Sequence, residues 1–244
     1  MRLRFALSHL LLSSLIFGGV TVLLFIVWFP AGYRELSGVV TLVLWMLAVD
    51  VVLGPGCTYV VANPRKSAKE RARDIAIIVA LQVAALIYGL FVAWSVRPAA
   101  LVFEYSVFRI VSAAELDASV SVAHPESPRV NGVPLLSLRP FETPQEKLEM
   151  TLAAIAGYSL SARSELWRAY SLDSQPVIAQ ARPARELFMK APSVEAELKR
   201  MTTLDVDDVG FLPVLGHHGV CRALAVSMQD AHVIGILGVD VCRP

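Results

Sequence analysis

The sequence has no internal repeat, no low-complexity tract and no long flexible linker, so neither a repeat array nor a tethered string of modules is expected. Signatures of catalysis are equally scarce. The run G-Y-S-L-S around Ser159 and Ser161 is not the G-x-S-x-G turn that exposes a nucleophilic serine. Neither a P-loop nor a dinucleotide fingerprint is present. Asp205, Asp207 and Asp208 lack the glycine and distal glutamate of a calcium loop and read as a solvated acidic turn. No basic stripe with interleaved aromatics points to nucleic acid. No catalytic, cofactor-binding or metal residue is therefore assigned, and the expectation is a protein that is not an enzyme.

What the chain does have is apolar residues, 55% of its 244, against roughly 45–50% in an ordinary soluble domain. Mean hydropathy is +0.58. The net charge of +1 hides an asymmetry. Residues 1–96 hold eight Lys/Arg and four Asp/Glu; residues 97–244 hold fourteen and seventeen. One membrane module, 1–96, and one folded domain, 97–244, are expected.

Three apolar runs divide the first module: 5–29, 38–62 and 75–96, each long enough to cross about 30 Å of hydrocarbon at about 1.5 Å per residue. The first follows Arg2 and Arg4 but is longer than the apolar core of a signal peptide and has no small-residue cleavage site, so an uncleaved span is expected. Trp28 and Phe29 at its end suit a membrane interface, and His9 reads as a satisfied interfacial side chain. The basic loop 63–74 carries Arg65, Lys66, Lys69, Arg71 and Arg73. By the positive-inside rule it determines topology: loop and N-terminus cytoplasmic, residues from 97 onward outside.

The second span contains the oddity of the chain. Asp50 lies near its middle, where a carboxylate is costly and faces protein or water rather than lipid. Gly54, Pro55 and Gly56 follow, and a helix break is expected there because proline lacks an N–H and glycine is flexible. Two geometries stay open: a straight helix with Asp50 near the midplane, or a regular helix ending near Leu53 with Asp50 nearer the headgroups. Asp50, Gln82 and Tyr88 have a structural reading, mutual hydrogen bonding inside a three-helix bundle, and a functional one, contact with a partner helix. Interhelical polar contacts average under about 1 kcal/mol, enough to bias partner choice.

Beyond the membrane, residues 101–111 are β-rich with weak alternation and are expected to form a strand leaving the membrane. Residues 124–144 hold five prolines and are expected to be an irregular connection. Thr143-Pro144-Gln145-Glu146 is a capping box with proline at the first helical position. It predicts a helix to about Ala156, with Leu148, Leu152 and Ile155 as its apolar stripe. Residues 164–170 suit a short helical turn, 186–190 are ambiguous, and 194–201 read as a helix. The runs 210–215, 220–228 and 233–241 predict an antiparallel meander. A turn centred between Asp230 and Ala231 sets Cys221 opposite Asp240, with Cys242 diagonal to it; one centred between Ala231 and His232 sets the two cysteines opposite each other. Either allows a Cys221–Cys242 disulfide in an oxidising compartment. The competing use of these cysteines with His217, His218 and His232 as metal ligands matches no familiar spacing.

Several motifs together resemble the type IV pilin accessory proteins of the TfpX/TfpZ group. They are S-H-L-L at 8–11, D-V-V-L-G-P-G-C-T at 50–58, L-Q-V-A-A-L-I-Y-G at 81–89, and R-P followed by V-F-E at 97–104. Gly56-Cys57 departs from the larger apolar residues usual after Leu-Gly-Pro in that group. The residues themselves predict the fold: a membrane protein with three transmembrane helices and an α+β periplasmic domain ending in an antiparallel meander, a layout that suits this resemblance. The resemblance implies a non-enzymatic role in the bacterial inner membrane, supporting the stability or assembly of a type IV major pilin. The implied partners are that pilin and the lipid bilayer, with no cofactor and no nucleic acid. The rival expectation is a membrane-tethered sensor or ligand-binding domain, for which the short cytoplasmic segments leave little signalling output.

Overall fold

A computed structural model describes residues 2–116 and 127–242. The chain forms two compact units, Met1–Phe29 with Gly38–Val96, and Pro30–Ser37 with Arg97–Pro244.

In the first unit, α1 (Arg2–Val22) runs into a wider π-helical segment, Leu23–Trp28. After it comes α2 (Tyr33–Leu36), which belongs to the second unit. The next helical stretch consists of α3 (Val39–Leu47), a π segment (Ala48–Leu53) and α4 (Gly54–Val61). Then α5 covers Ala68–Val96. Three stretches, Arg2–Trp28, Val39–Val61 and Ala68–Val96, are long and apolar enough to cross a membrane. The basic segment is less of a loop than expected, because α5 starts at Ala68 and places Lys69, Arg71 and Arg73 on its first two turns. The signal is Ser67-x-x-Glu70: Ser67 N–H donates to Glu70 Oε2 at 2.9 Å and Glu70 N–H to Ser67 Oγ at 3.2 Å. This reciprocal cap satisfies two N–H groups that a helix start leaves open. Close packing in the unit uses small residues. A side chain at Gly89 would run into Met46, and Leu24, Phe29, Val39, Val43 and Ala93 form a buried cluster. Trp28 and Trp94 meet edge to face at 5.1 Å.

The second unit is α+β. Its strands are β1 (Pro98–Glu104), β2 (Val107–Ser112), β3 (Arg129–Val130), β4 (Val133–Leu138), β5 (Trp167–Ala169), β6 (Arg182–Pro183), β7 (Val209–Leu215), β8 (Cys221–Ser227) and β9 (Val233–Leu237). Its helices are α6 (Pro144–Ile155), α7 (Ser174–Gln180), α8 (Arg185–Lys190) and α9 (Ser193–Met201). The main strand order is β3-β4-β1-β2-β7-β8-β9, with β5 paired to β4 and β6 to β7. The β1–β4 and β2–β7 pairs are parallel; the meander β7-β8-β9 is antiparallel, as its alternation and turns predict. The sheet curls until Val130 and Val133 at one end share a buried cluster with Val233 and Ile236 at the other.

Two expectations are corrected here. The β-rich run is a hairpin, β1-β2, rather than one strand: Tyr105 takes a left-handed φ of 57° and reverses the chain without glycine or asparagine to announce it. Leu101 and Phe103 enter one buried cluster, Ala100 and Val102 another, so burial on both faces explains the weak alternation. The proline-rich segment is not an irregular connection where it is described. It contains the β3-β4 hairpin, closed by Asn131 and Gly132 at φ 49° and 87°, the Asn-Gly pair that suits a two-residue hairpin turn. Residues 124–126 of that segment lie outside the described residues.

Helix α6 begins where the capping box places it, with Thr143 Oγ1 accepting from Glu146 N–H at 3.1 Å. The Glu146 carboxylate accepts from Glu142 N–H and Arg139 instead of reaching back to Thr143. Its apolar stripe does not face a core: Leu148, Leu152 and Ile155 are 60%, 57% and 78% exposed. Segment 164–170 is a helical turn followed by β5, and α8 resolves the ambiguous 186–190 as helix.

The connection 30–37 is part of this second unit's core. Tyr33 and Leu36 are fully buried among residues of β1, β2, β7, β8 and β9. Tyr33 Oη donates to Val130 O at 3.1 Å, and burial pushes its phenol pKa up. Asn131 Nδ2 donates to Ala31 O at 2.9 Å, and Arg222 pairs with Glu35 at 2.8 Å. Gly216 is glycine because the Leu36 carbonyl occupies the space a Cβ would need.

Cys221 and Cys242 form a disulfide with Cα atoms 6.0 Å apart. The register is neither of the two expected. Ala223 pairs with Leu237 and Ala225 with Gly235, with an irregularity before Val226. β9 ends at Leu237, so Cys242 reaches Cys221 from a bent tail rather than from an adjacent strand.

Candidate functional site

The polar residues expected inside the membrane module come together at one cavity of about 290 Å³, walled by α1, α5 and the π–α4 stretch. Most of its wall is apolar, with Leu12, Ile16, Val79 and Leu86 among the lining side chains. Ser8, His9, Ser13, Asp50, Thr58 and Gln82 form its polar part.

The local chain explains this cluster. Gly54, Pro55 and Gly56 do not end the helix, which runs on to Val61; what changes is its pitch, over Ala48–Leu53. In this π segment Gly54 N–H donates to Val49 O. The next bond of that series would join residue 55 to Asp50 O, and residue 55 is proline, with no N–H to give. Gln82 fills the vacancy: its Nε2 donates to Asp50 O at 3.0 Å. Gly54 permits the approach, because a Cβ there would lie inside the Gln82 amide. A helix break was the expectation; a wider turn plus a side chain from α5 satisfies the backbone instead, as the absence of water in hydrocarbon demands. Gly54 and Thr58, one turn apart and both buried, form the small-residue face that lets helices close in. Thr58 Oγ1 and His9 Nδ1 lie 2.5 Å apart, so His9 is satisfied by α4. Thr58 was not singled out from sequence; its spacing from Gly54 is the signal.

Asp50 is only 7% exposed and sits at the midpoint of the Val39–Val61 stretch. Gln82 is part-buried, and its Oε1 is a buried acceptor with no partner among the described residues. Tyr88 is not in the cluster. Six residues beyond Gln82 it lies about 240° further round α5, and it is 69% exposed. None of the basic residues lines the cavity: Lys66 pairs with Asp74 at 2.5 Å, and Arg71 lies 5.4 Å over the ring of Phe5, a residue of the cavity wall. Cys57 is an exposed free thiol. Cys221, Asp240 and Cys242 are the one metal-like cluster among the described residues, and with the sulfurs in a disulfide no thiolate is left to bind an ion.

Comparison with known proteins gives this geometry a setting. The chain is 30% identical over 220 residues to the fimbrial assembly protein of serogroup E1 from Dichelobacter nodosus, covering 87% of this chain and 85% of the relative. The chain belongs to the fimbrial assembly protein family. The serogroup I protein of the same organism is 29% identical over the same coverage, and the protein of serogroups C1 and C2 is 35% identical over 108 residues, 44% of this chain and 82% of the relative. A family model described as fimbrial assembly protein FimB matches residues 1–38. That stretch includes His9 of the cavity and the Tyr33 segment buried in the β-domain. No solved structure matches this chain.

Proposed function

We propose that this fimbrial assembly family member is a non-enzymatic accessory protein of type IV pilus assembly in the bacterial inner membrane, as its resemblance to the TfpX/TfpZ group implies. It supports the stability or assembly of a major pilin by holding the pilin's apolar helix in the membrane and its globular head outside. The observation that carries this reading is the cavity on the membrane module, apolar over most of its wall with Asp50, His9 and Gln82 grouped inside it. A transmembrane helix of another protein has both the apolar surface and the length to enter it. The basic residues 65–73 orient the module with that segment in the cytoplasm and residues 97–244 in the periplasm. There the exposed stripe Leu148, Leu152 and Ile155 on α6 offers a second contact.

The test is site-specific photo-crosslinking in cells from Leu12, in the cavity wall, and from Ile155 on α6. Pilin adducts at both positions, with reduced pilin or piliation in a deletion strain, are expected. Normal piliation in the deletion strain, with no pilin adduct at either position, overturns the proposal.

A further inference from the structure

We infer that the cavity in the membrane module is a receptor for a positively charged hydrogen-bond donor carried on a partner's transmembrane helix. This rests on the reading of the cavity as a helix-binding site and adds the chemistry of its occupant.

The polar wall has acceptors to offer. Gln82 Nε2 donates to Asp50 O at 3.0 Å, leaving Oε1 buried without a partner among the described residues. Ser8 Oγ donates to the Arg4 carbonyl at 2.9 Å, and Thr58 and His9 engage each other. The Asp50 side chain meets only the neutral amide of Gln82 and the ring of His9, Gln82 Oε1 has no partner among the described residues, and no lysine or arginine lines the wall. A carboxylate and an amide oxygen in hydrocarbon are costly without donors. An ammonium or guanidinium entering the cavity would satisfy both at once, through charge-assisted hydrogen bonds of the strong kind.

Position and charge argue against two other occupants. Asp50 is roughly 16 Å from either end of its helical stretch at about 1.5 Å per residue, beyond the reach of a lipid headgroup amine. A second copy of this chain would bring the same acceptors, and its lysines and arginines within 1–96 are Arg2, Arg4, Arg34 and those of 65–73, away from the middle of any span.

The experiment uses the full chain in lipid nanodiscs with labelled Leu/Ala transmembrane peptides. One peptide carries a single central lysine, a second norleucine, a third acetyl-lysine, and association is read by energy transfer. The lysine peptide is expected to associate with the wild-type chain about tenfold more tightly than either neutral twin. Asp50→Asn should abolish that preference, and Asp50→Glu should keep it. Equal association of the three peptides with the wild-type chain, or no association of any, overturns the inference. So does a lysine preference that survives in a folded Asp50→Asn variant. The acetyl-lysine comparison needs no variant, so a misfolded Asp50→Asn leaves the test decisive. A lysine preference without a pilin crosslink from Leu12 would count against the pilus role alone; a crosslink without the preference would count against the charge chemistry alone.

Discussion

Gln82 Nε2 donates to the carbonyl of Asp50 at 3.0 Å, standing in for the N–H that Pro55 lacks. The side chain of one helix thus completes the backbone of another, and Gly54 makes room for it. This predicts a specific coupling. Gln82→Ala should destabilise the membrane module in detergent by about 1–2 kcal/mol, the upper range for interhelical hydrogen bonds. Restoring an N–H with Pro55→Ala should reduce that cost, so the double-mutant cycle should be non-additive. Additive effects in thermal unfolding would mean that Gln82 does not serve this carbonyl.

Tyr33 is part of the β-domain's core although it lies between the first two apolar runs. Tyr33→Phe removes the bond to Val130 O and should cost about 1 kcal/mol. Tyr33→Ala also empties a buried site and should cost about 3–5 kcal/mol. A soluble fragment of residues 97–244 should bind a hydrophobic dye, and a peptide of residues 30–37 supplied in trans should reduce that binding. A fragment that melts cooperatively, without dye binding, would contradict the placement of this segment.

The disulfide links residues that are 21 apart in sequence. Cys221→Ser should lower the stability of the β-domain by about 2–4 kcal/mol and leave membrane insertion intact. Non-reducing mass spectrometry should recover a Cys221–Cys242 peptide pair, with Cys57 alkylated.

Acid should loosen α6. Hydrogen bonds from Arg139, then from Glu142 N–H, hold the Glu146 carboxyl below its usual range. A lowered folded pKa contributes stability that is complete above the unfolded value of about 4.3 and is lost as pH falls through the folded one. Denaturation midpoints of wild type should therefore exceed those of Glu146→Gln at about pH 6, and the gap should close towards about pH 3. A gap that is independent of pH would remove the charge from the explanation.

The proposed orientation rests on the basic segment. A reporter fused after residue 100 should be active in the periplasm, and one inserted within 65–73 should be active in the cytoplasm. The reverse pattern would invert the proposed arrangement.

The sequence by itself determined the three apolar helices, the capped start of α6 and the antiparallel meander. Each rests on local chemistry: continuous apolar length, a threonine with its glutamate three residues on, alternation between turn residues. The sequence named the two cysteines, but the register from which their pairing was argued is not the one the strands adopt. Asp50, Gln82 and Tyr88 were legible as polar residues of the spans, and only the first two meet. What only the tertiary structure decided depends on residues distant in the chain. Pro55 looked like a break, and whether a helix continues past a missing N–H depends on whether another helix can supply one. The burial of the 30–37 connection depends on a curled sheet assembled mainly from strands after residue 97. Leu148, Leu152 and Ile155 carry the periodicity of a core stripe, yet no other part of the described structure covers them. Periodicity states that a helix has an apolar face; what that face meets is decided by the surfaces brought to it.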